Sequence, residues 1–162
     1  MTQRHRIGLR VCHGIMAAIV LLAATNASAA FNLGARAGIS VNPDQFVIGG
    51  QATIGSLLPR IDLVPSLDVG FGNDLSLTAL NLDLQFNLPS LPEVSPNIYV
   101  GAGPTITRAD YDKGGSDTKV GISLVAGLRI PMAGISYYNL ETRFGLNDVP
   151  DFKVLLGIMF GL

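Results

Sequence analysis

The chain has 162 residues, enough for one domain, of which 48% are hydrophobic and 14% charged, with 19 glycines and no tryptophan. Its formal charge is -1, from 11 Lys and Arg against 12 Asp and Glu. There is no basic footprint of the kind that binds nucleic acid, and the glycine-rich, charge-poor balance is unlike that of a cytosolic enzyme.

The charge is unevenly spread. Arg4, Arg6 and Arg10 are the only Lys, Arg, Asp or Glu residues in the first thirty, and without them eight basic residues face twelve acidic ones. Met1 to Gly14 holds these arginines, Ile15 to Ala24 is a run of about ten apolar residues, and Ala27, Ser28 and Ala29 form an A-x-A site. This pattern predicts a secretory signal peptide over residues 1–29 rather than a buried helix, with an apolar run too short to span a bilayer. Cleavage after Ala29 leaves one domain, residues 30–162, and removes Cys12, His5 and His13, the only cysteine and histidines. A disulfide, a thiolate or histidine metal site and a Ser-His or Cys-His pair are then unavailable. No cofactor and no enzymatic activity are expected.

From residue 31 onward apolar and polar residues alternate with a period of two, as in strands whose two faces meet different surroundings. The first strand, Phe31 to Val41, sets Phe31, Leu33 and Ile39 on one face and Arg36 on the other. After the turn Asn42 to Gln45 comes a second strand, Phe46 to Leu57. A third, Ile61 to Phe71, places Asp62 and Asp68 on the polar parity, and Pro65 predicts an irregularity or bulge because it lacks a ladder donor. Gly72 to Asp74 form a hairpin. In the fourth strand, Leu75 to Leu88, the apolar phase slips between Leu77 and Leu80, which predicts a bulge near Ala79; Asp83 then joins the polar face.

Pro89 to Pro96 make an ordered turn, and the fifth strand runs from Asn97 to Arg108. Its glycines, in Tyr99 to Pro104, make room for large inward side chains; a phosphate loop is disfavoured because no lysine and no helical segment follow. Ala109 to Thr118 read as a polar, mobile loop, in which Asp110, Asp112 and Asp117 fall short of a calcium-loop pattern. The sixth strand, Lys119 to Ile130, carries Lys119 and Arg129 on its polar face. The seventh, Ile135 to Leu146, carries Glu141 and Arg143. Beyond the turn Asn147 to Pro150, the last strand, Asp151 to Leu162, is apolar on one parity and carries Lys153 on the other.

Eight strands of about ten to fourteen residues suit the crossing of a bilayer. The expected fold is all-β, an eight-stranded antiparallel up-and-down transmembrane β-barrel. A soluble secreted barrel around a lipophile would reverse the sense of the alternation. Three features favour the membrane. Phe31, Phe86, Tyr138 and Phe160 fall towards one rim and Phe46, Phe71, Phe144 and Phe152 towards the other, all on the apolar parity, as two aromatic girdles. The polar parity is rich in glycine and serine, as a cramped interior requires. The charges on it nearly balance: Arg36, Lys119, Arg129, Arg143 and Lys153 against Asp62, Asp68, Asp83 and Glu141. They are expected to pair across the lumen in a network centred on Arg36, Glu141 and Arg143.

The last strand, with Gly157, Phe160 and Leu162, and the run Tyr99-Val100-Gly101-Ala102-Gly103 resemble the small bacterial outer-membrane β-barrels of the OmpA-like and OmpX-like class. The resemblance spans the mature chain and implies a Gram-negative outer-membrane protein, monomeric, in contact with phospholipid and lipopolysaccharide. It also implies insertion by the barrel assembly machinery with periplasmic chaperones. Gly157, Phe160 and Leu162 would be the assembly signal, with Leu162 where the class usually has Phe. No periplasmic domain is expected after the barrel, so tethering to peptidoglycan is not implied. The expected role is envelope structure or a surface contact around a plugged lumen; the alternative is a narrow pore for small solutes. Lipid-modifying barrels rely on histidine, which disfavours that reading. The short outer turns argue against adhesion by long loops.

Overall fold

The computed structural model describes residues 31–89, 96–112, 114–132, 134–147 and 149–162, the side chains of residues 56 and 57 excepted. The expected signal peptide and most of the connection after Pro89 lie outside the described residues. The strands are β1 (Phe31–Val41), β2 (Gln45–Leu58), β3 (Ile61–Phe71), β4 (Leu75–Asn87), β5 (Asn97–Tyr111), β6 (Ser116–Pro131), β7 (Tyr137–Leu146) and β8 (Phe152–Gly161). They close into one antiparallel barrel in chain order, β8 pairing with β1.

Following the pairs from Phe31 through Ile54, Leu63, Leu84, Ala102, Leu124, Phe144 and Phe152 leads back to β1 at Val41, ten residues along. A shear of ten over eight strands tilts them by ~40° and leaves an interior only as wide as its side chains. The usual order of a folded protein is inverted: Leu33 is 51% exposed and Phe46 55%, whereas Asp83 and Glu141 are 0% exposed.

β4 departs from the expected bulge. Its register with β3 runs unbroken from Phe71–Ser76 to Ile61–Phe86. Leu77 and Ala79 therefore turn inward and are buried, while Ser76 and Thr78 take the outward positions near the rim, where water is close. The register shift occurs instead in β2, between Ile54 and Leu58, beside the tight turn in which Arg60 has a left-handed φ of 68°. Pro65 pairs with Leu82 of β4, but the β2–β3 ladder passes from Gln51–Ser66 to Ile54–Leu63 without a pair at Pro65. Pro104 leaves the same gap between β4 and β5. Each gap lies where proline has no N–H to give.

The loop expected over residues 109–118 is shorter, because residues 109–111 and 116–118 are strand. β5 and β6 stay paired up to Asp110–Ser116, and Gly114 and Gly115, at φ 93° and 105°, close a turn in a region that other residues avoid. β7 begins at Tyr137 rather than Ile135; the Ile135 carbonyl accepts from Asn32 Nδ2 at 3.0 Å. At the other end Asn147, with φ 59°, turns the chain inward, so Val149 and Pro150 are buried in the mouth instead of facing water. Glycines seat the large inward side chains: a Cβ at Gly127 would strike the Tyr99 ring, one at Gly34 the Met159 sulfur, and one at Gly70 the Gln45 amide.

The lumen network as candidate functional site

Each strand contributes inward side chains at every second residue, and the shear brings strands far apart in sequence to one height. Arg36 of β1 meets Asp68 of β3 through two parallel bonds, Nε to Oδ1 at 2.8 Å and Nη2 to Oδ2 at 2.9 Å. The same guanidinium donates to Ser66 Oγ at 2.8 Å, to Gln51 Oε1 at 2.8 Å and to Glu141 Oε1 at 3.1 Å. This forked arrangement uses the geometry that distinguishes arginine from lysine.

Glu141 of β7 accepts four bonds. Oε1 receives Arg36 Nη1 and, at 3.0 Å, Arg143 Nη2; Oε2 receives the Tyr99 hydroxyl at 2.7 Å and Gln85 Nε2 at 3.4 Å. Arg143 in turn grips Asp83 of β4 at 2.5 and 3.2 Å. Lys153 Nζ lies 3.5 Å from Asp68 Oδ2. Towards the end where the chain termini meet, Arg129 donates to Asp62 at 2.8 Å, Asn87 at 2.9 Å and Gln85 at 2.6 Å, and its guanidinium lies over Tyr99 and Tyr137, 4.7 and 5.5 Å from the ring centres. Gln85 and Tyr99 join the two clusters into one.

Among the described residues the buried charges are Arg36, Arg129, Arg143 and Lys153 against Asp62, Asp68, Asp83 and Glu141. Four cations face four carboxylates, which removes the penalty that an uncompensated ion would carry inside the barrel. Lys119, expected among them, is instead exposed. Its strand rises there past the last residue of β7, Leu146, which pairs with Ile122, so Lys119 stands above the closed part of the lumen. Towards that end the interior is mixed, with Val47, Leu77, Ala79 and Val149 buried beside Ser40, Gln45 and Thr107.

The site expected from sequence named only charged residues; the neutral partners Gln51, Ser66, Asn81, Gln85, Tyr99 and Asn139 complete it. Tyr99 donates to Asn139 at 3.0 Å as well as to Glu141, and Asn81 to Ser66 at 3.1 Å. Their signal was the same inward parity that marked the charges. Among the described residues no three metal-ligating side chains gather, and Asp110 is held by Arg108 at 3.1 Å.

Outside, the eight aromatics stand at the two ends. Phe46 pairs with Phe71, and Phe144 with Phe152, whose rings are 4.9 Å apart. Phe31, Phe86, Tyr138 and Phe160 face outward near the termini. On β8, Phe152 and Phe160 are eight residues apart, about 27 Å along the strand and about 20 Å along the axis. The apolar band of a membrane barrel is ~25 Å tall.

Solved structures of low sequence identity share this architecture. Neisserial surface protein A matches with a TM-score of 0.62 at 12% identity, over 81% of this chain and 95% of its own. The outer membrane protein Ail of Yersinia pestis, in a phospholipid bilayer nanodisc, matches at 0.56 and 10% identity, over 83% of this chain and all of its own. The fold is that of the small outer-membrane barrels. A de novo designed transmembrane β-barrel matches comparably, at 0.55 and 15% identity over 82% of this chain and 95% of its own, so the likeness is one of backbone geometry. No family model matches the chain, and no curated protein does.

Proposed function

We propose that this chain is an integral outer-membrane protein, exported by its signal peptide, whose lumen is plugged and whose role is envelope structure or a surface contact rather than catalysis. The observation that carries this reading is the pairing of an outward apolar belt, rimmed by aromatics at both ends, with an interior in which four cations and four carboxylates satisfy one another. Phospholipid and lipopolysaccharide would cover the belt. The barrel assembly machinery and periplasmic chaperones would act on the chain during insertion, with Gly157, Phe160 and Leu162 as the signal. The closed barrel leaves no sheet edge within the apolar belt, which suits a monomer.

A narrow pore is the second reading. In its favour, Gln51 Nε2, Arg129 Nε and Arg143 Nε have no partner among the described residues, and donors of this kind could line a water path. Planar-bilayer recording separates the two. The plug predicts no single-channel conductance above the lipid background, and steady unitary currents would establish the pore. Unchanged lipid A mass spectra with and without the protein are expected on the non-enzymatic reading.

A further inference from the structure

At the end of the barrel away from the termini, a cleft of about 500 Å³ opens on the outer wall between the β1–β2 and β3–β4 turns. Ile39, Val41, Phe46 and Phe71, all exposed, form its apolar side, and Asp44 and Asn73, also exposed, its polar side. Asp44 is the one charged residue among those that line it. The cleft therefore straddles the aromatic rim, where the apolar belt gives way to the turns.

The wall below the cleft is hollow. On the outward face of β1, Ile39 is followed downwards by Ala37 and Ala35, and Ala35 pairs with Gly50 of β2, so these neighbouring positions carry a methyl group or less. Leu156 and Ile158 of β8, paired with Ala37 and Ala35, stand on one side of this trough, and Leu67 of β3, paired with Gly50, on the other. A Cβ at Gly50 would meet no atom nearer than 3.8 Å, so packing within the barrel does not demand a glycine there. From Phe46 to Gly50 the trough descends four residues, about 13 Å along the strand, within reach of an acyl chain whose head group lies in the cleft.

A cleft that is half apolar and half polar at the membrane boundary fits an amphiphile, and each part selects one feature of it. The Asp44 carboxylate favours a cationic head group, the Asn73 amide offers N–H donors to a phosphate beside it, and the trough takes a hydrocarbon chain by contact. We infer that the cleft and the trough below it hold one lipid of the surrounding bilayer whose head group carries a primary ammonium and a phosphate, as in phosphatidylethanolamine. A head group with the phosphate and no amine, as in phosphatidylglycerol, leaves Asp44 facing a like charge. The site rests on the integral-membrane reading of the barrel and adds to it a place and a head group.

The test uses the full folded chain in detergent micelles, titrated with dimyristoyl phosphatidylethanolamine or dimyristoyl phosphatidylglycerol while the NMR shifts of the backbone amides are followed. Phosphatidylethanolamine should cause saturable shifts at Ile39, Asp44, Phe46, Gly72 and Asn73. It should bind about 4-fold more tightly than phosphatidylglycerol, within what one exposed ion pair gives. Asp44→Asn should abolish that preference. Gly50→Leu, which fills the trough without a clash, should weaken both lipids about 4-fold, the equivalent of one buried CH₂, and leave the preference intact. Both variants should keep the heat-dependent gel shift. O-phosphoethanolamine, a head group without chains, should leave these amides unmoved at the same concentration. Equal affinity for the two lipids, a preference that survives Asp44→Asn, undiminished binding by Gly50→Leu, equal shifts with O-phosphoethanolamine, or shifts spread evenly round the rim would each overturn the proposal. One gel mobility before and after heating, with the protein in the soluble periplasm, would refute the membrane reading, whereas a heat-dependent shift without head-group selection would refute the site alone.

Discussion

Glu141→Ala should lower the folding free energy of the barrel by about 3–5 kcal/mol, the usual consequence of removing one partner from a buried ionic cluster. Glu141 is fully buried and receives Arg36, Arg143, Tyr99 and Gln85. Without it, four buried cations remain against three carboxylates. Glu141→Gln keeps the shape and one acceptor oxygen but loses the charge, so it should fall between wild type and alanine. Urea titration of the chain refolded into phospholipid vesicles, followed by far-ultraviolet circular dichroism, measures both. A loss below ~1 kcal/mol for Glu141→Ala would mean that the network is not what holds the interior closed.

Gly127→Val should be nearly as damaging, by about 3 kcal/mol, the upper range for overpacking a filled interior. A Cβ there would collide with the Tyr99 ring and lie 2.7 Å from the Leu140 carbonyl oxygen. The ring cannot retreat without releasing its hydroxyl from Glu141 and Asn139 and its face from Arg129. The same titration, run on Gly127→Val, Tyr99→Ala and the double variant, gives the coupling directly. Residues in contact are expected to be non-additive, so the double variant should lose less than the two single losses together. Strict additivity would show that the glycine serves the backbone and not the tyrosine.

The alternation was legible wherever a strand crosses the apolar zone, because there the two surroundings differ most. β1, with Arg36 alone among small polar residues, and β8, with its unbroken apolar parity, could be assigned residue by residue. β4 was harder: Leu77 and Ala79 are apolar yet face inward, since the end of the lumen away from the termini mixes apolar side chains, Val47 and Val149, with polar ones, Ser40, Gln45 and Thr107. A period of two cannot say which apolar surroundings a leucine faces. Residues 109–118 looked like a loop for a related reason. Strands that have left the bilayer lose their apolar face and keep only their pairing, which composition does not record.

Parity also identifies inward residues without identifying their partners. Arg36 and Glu141 are 105 residues apart, and Arg129 and Asp62 are 67 apart. Their meeting depends on a shear of ten, which is set by the whole closed sheet. The fit of Tyr99 over Gly127 is visible in sequence only as an aromatic and a glycine, and the register of β5 on β6 joins them. Lys119 shows the converse case, where correct parity led to a wrong site because the neighbouring strand ends first.

The central claim, a closed barrel in the outer membrane, is tested most directly by gel mobility of the protein from purified outer membranes, unboiled and boiled in detergent. With every strand paired round the ring and no edge in the apolar zone, the folded form should resist the detergent and migrate apart from the heated one. One mobility before and after heating, with the protein recovered from the soluble periplasm, would contradict the account.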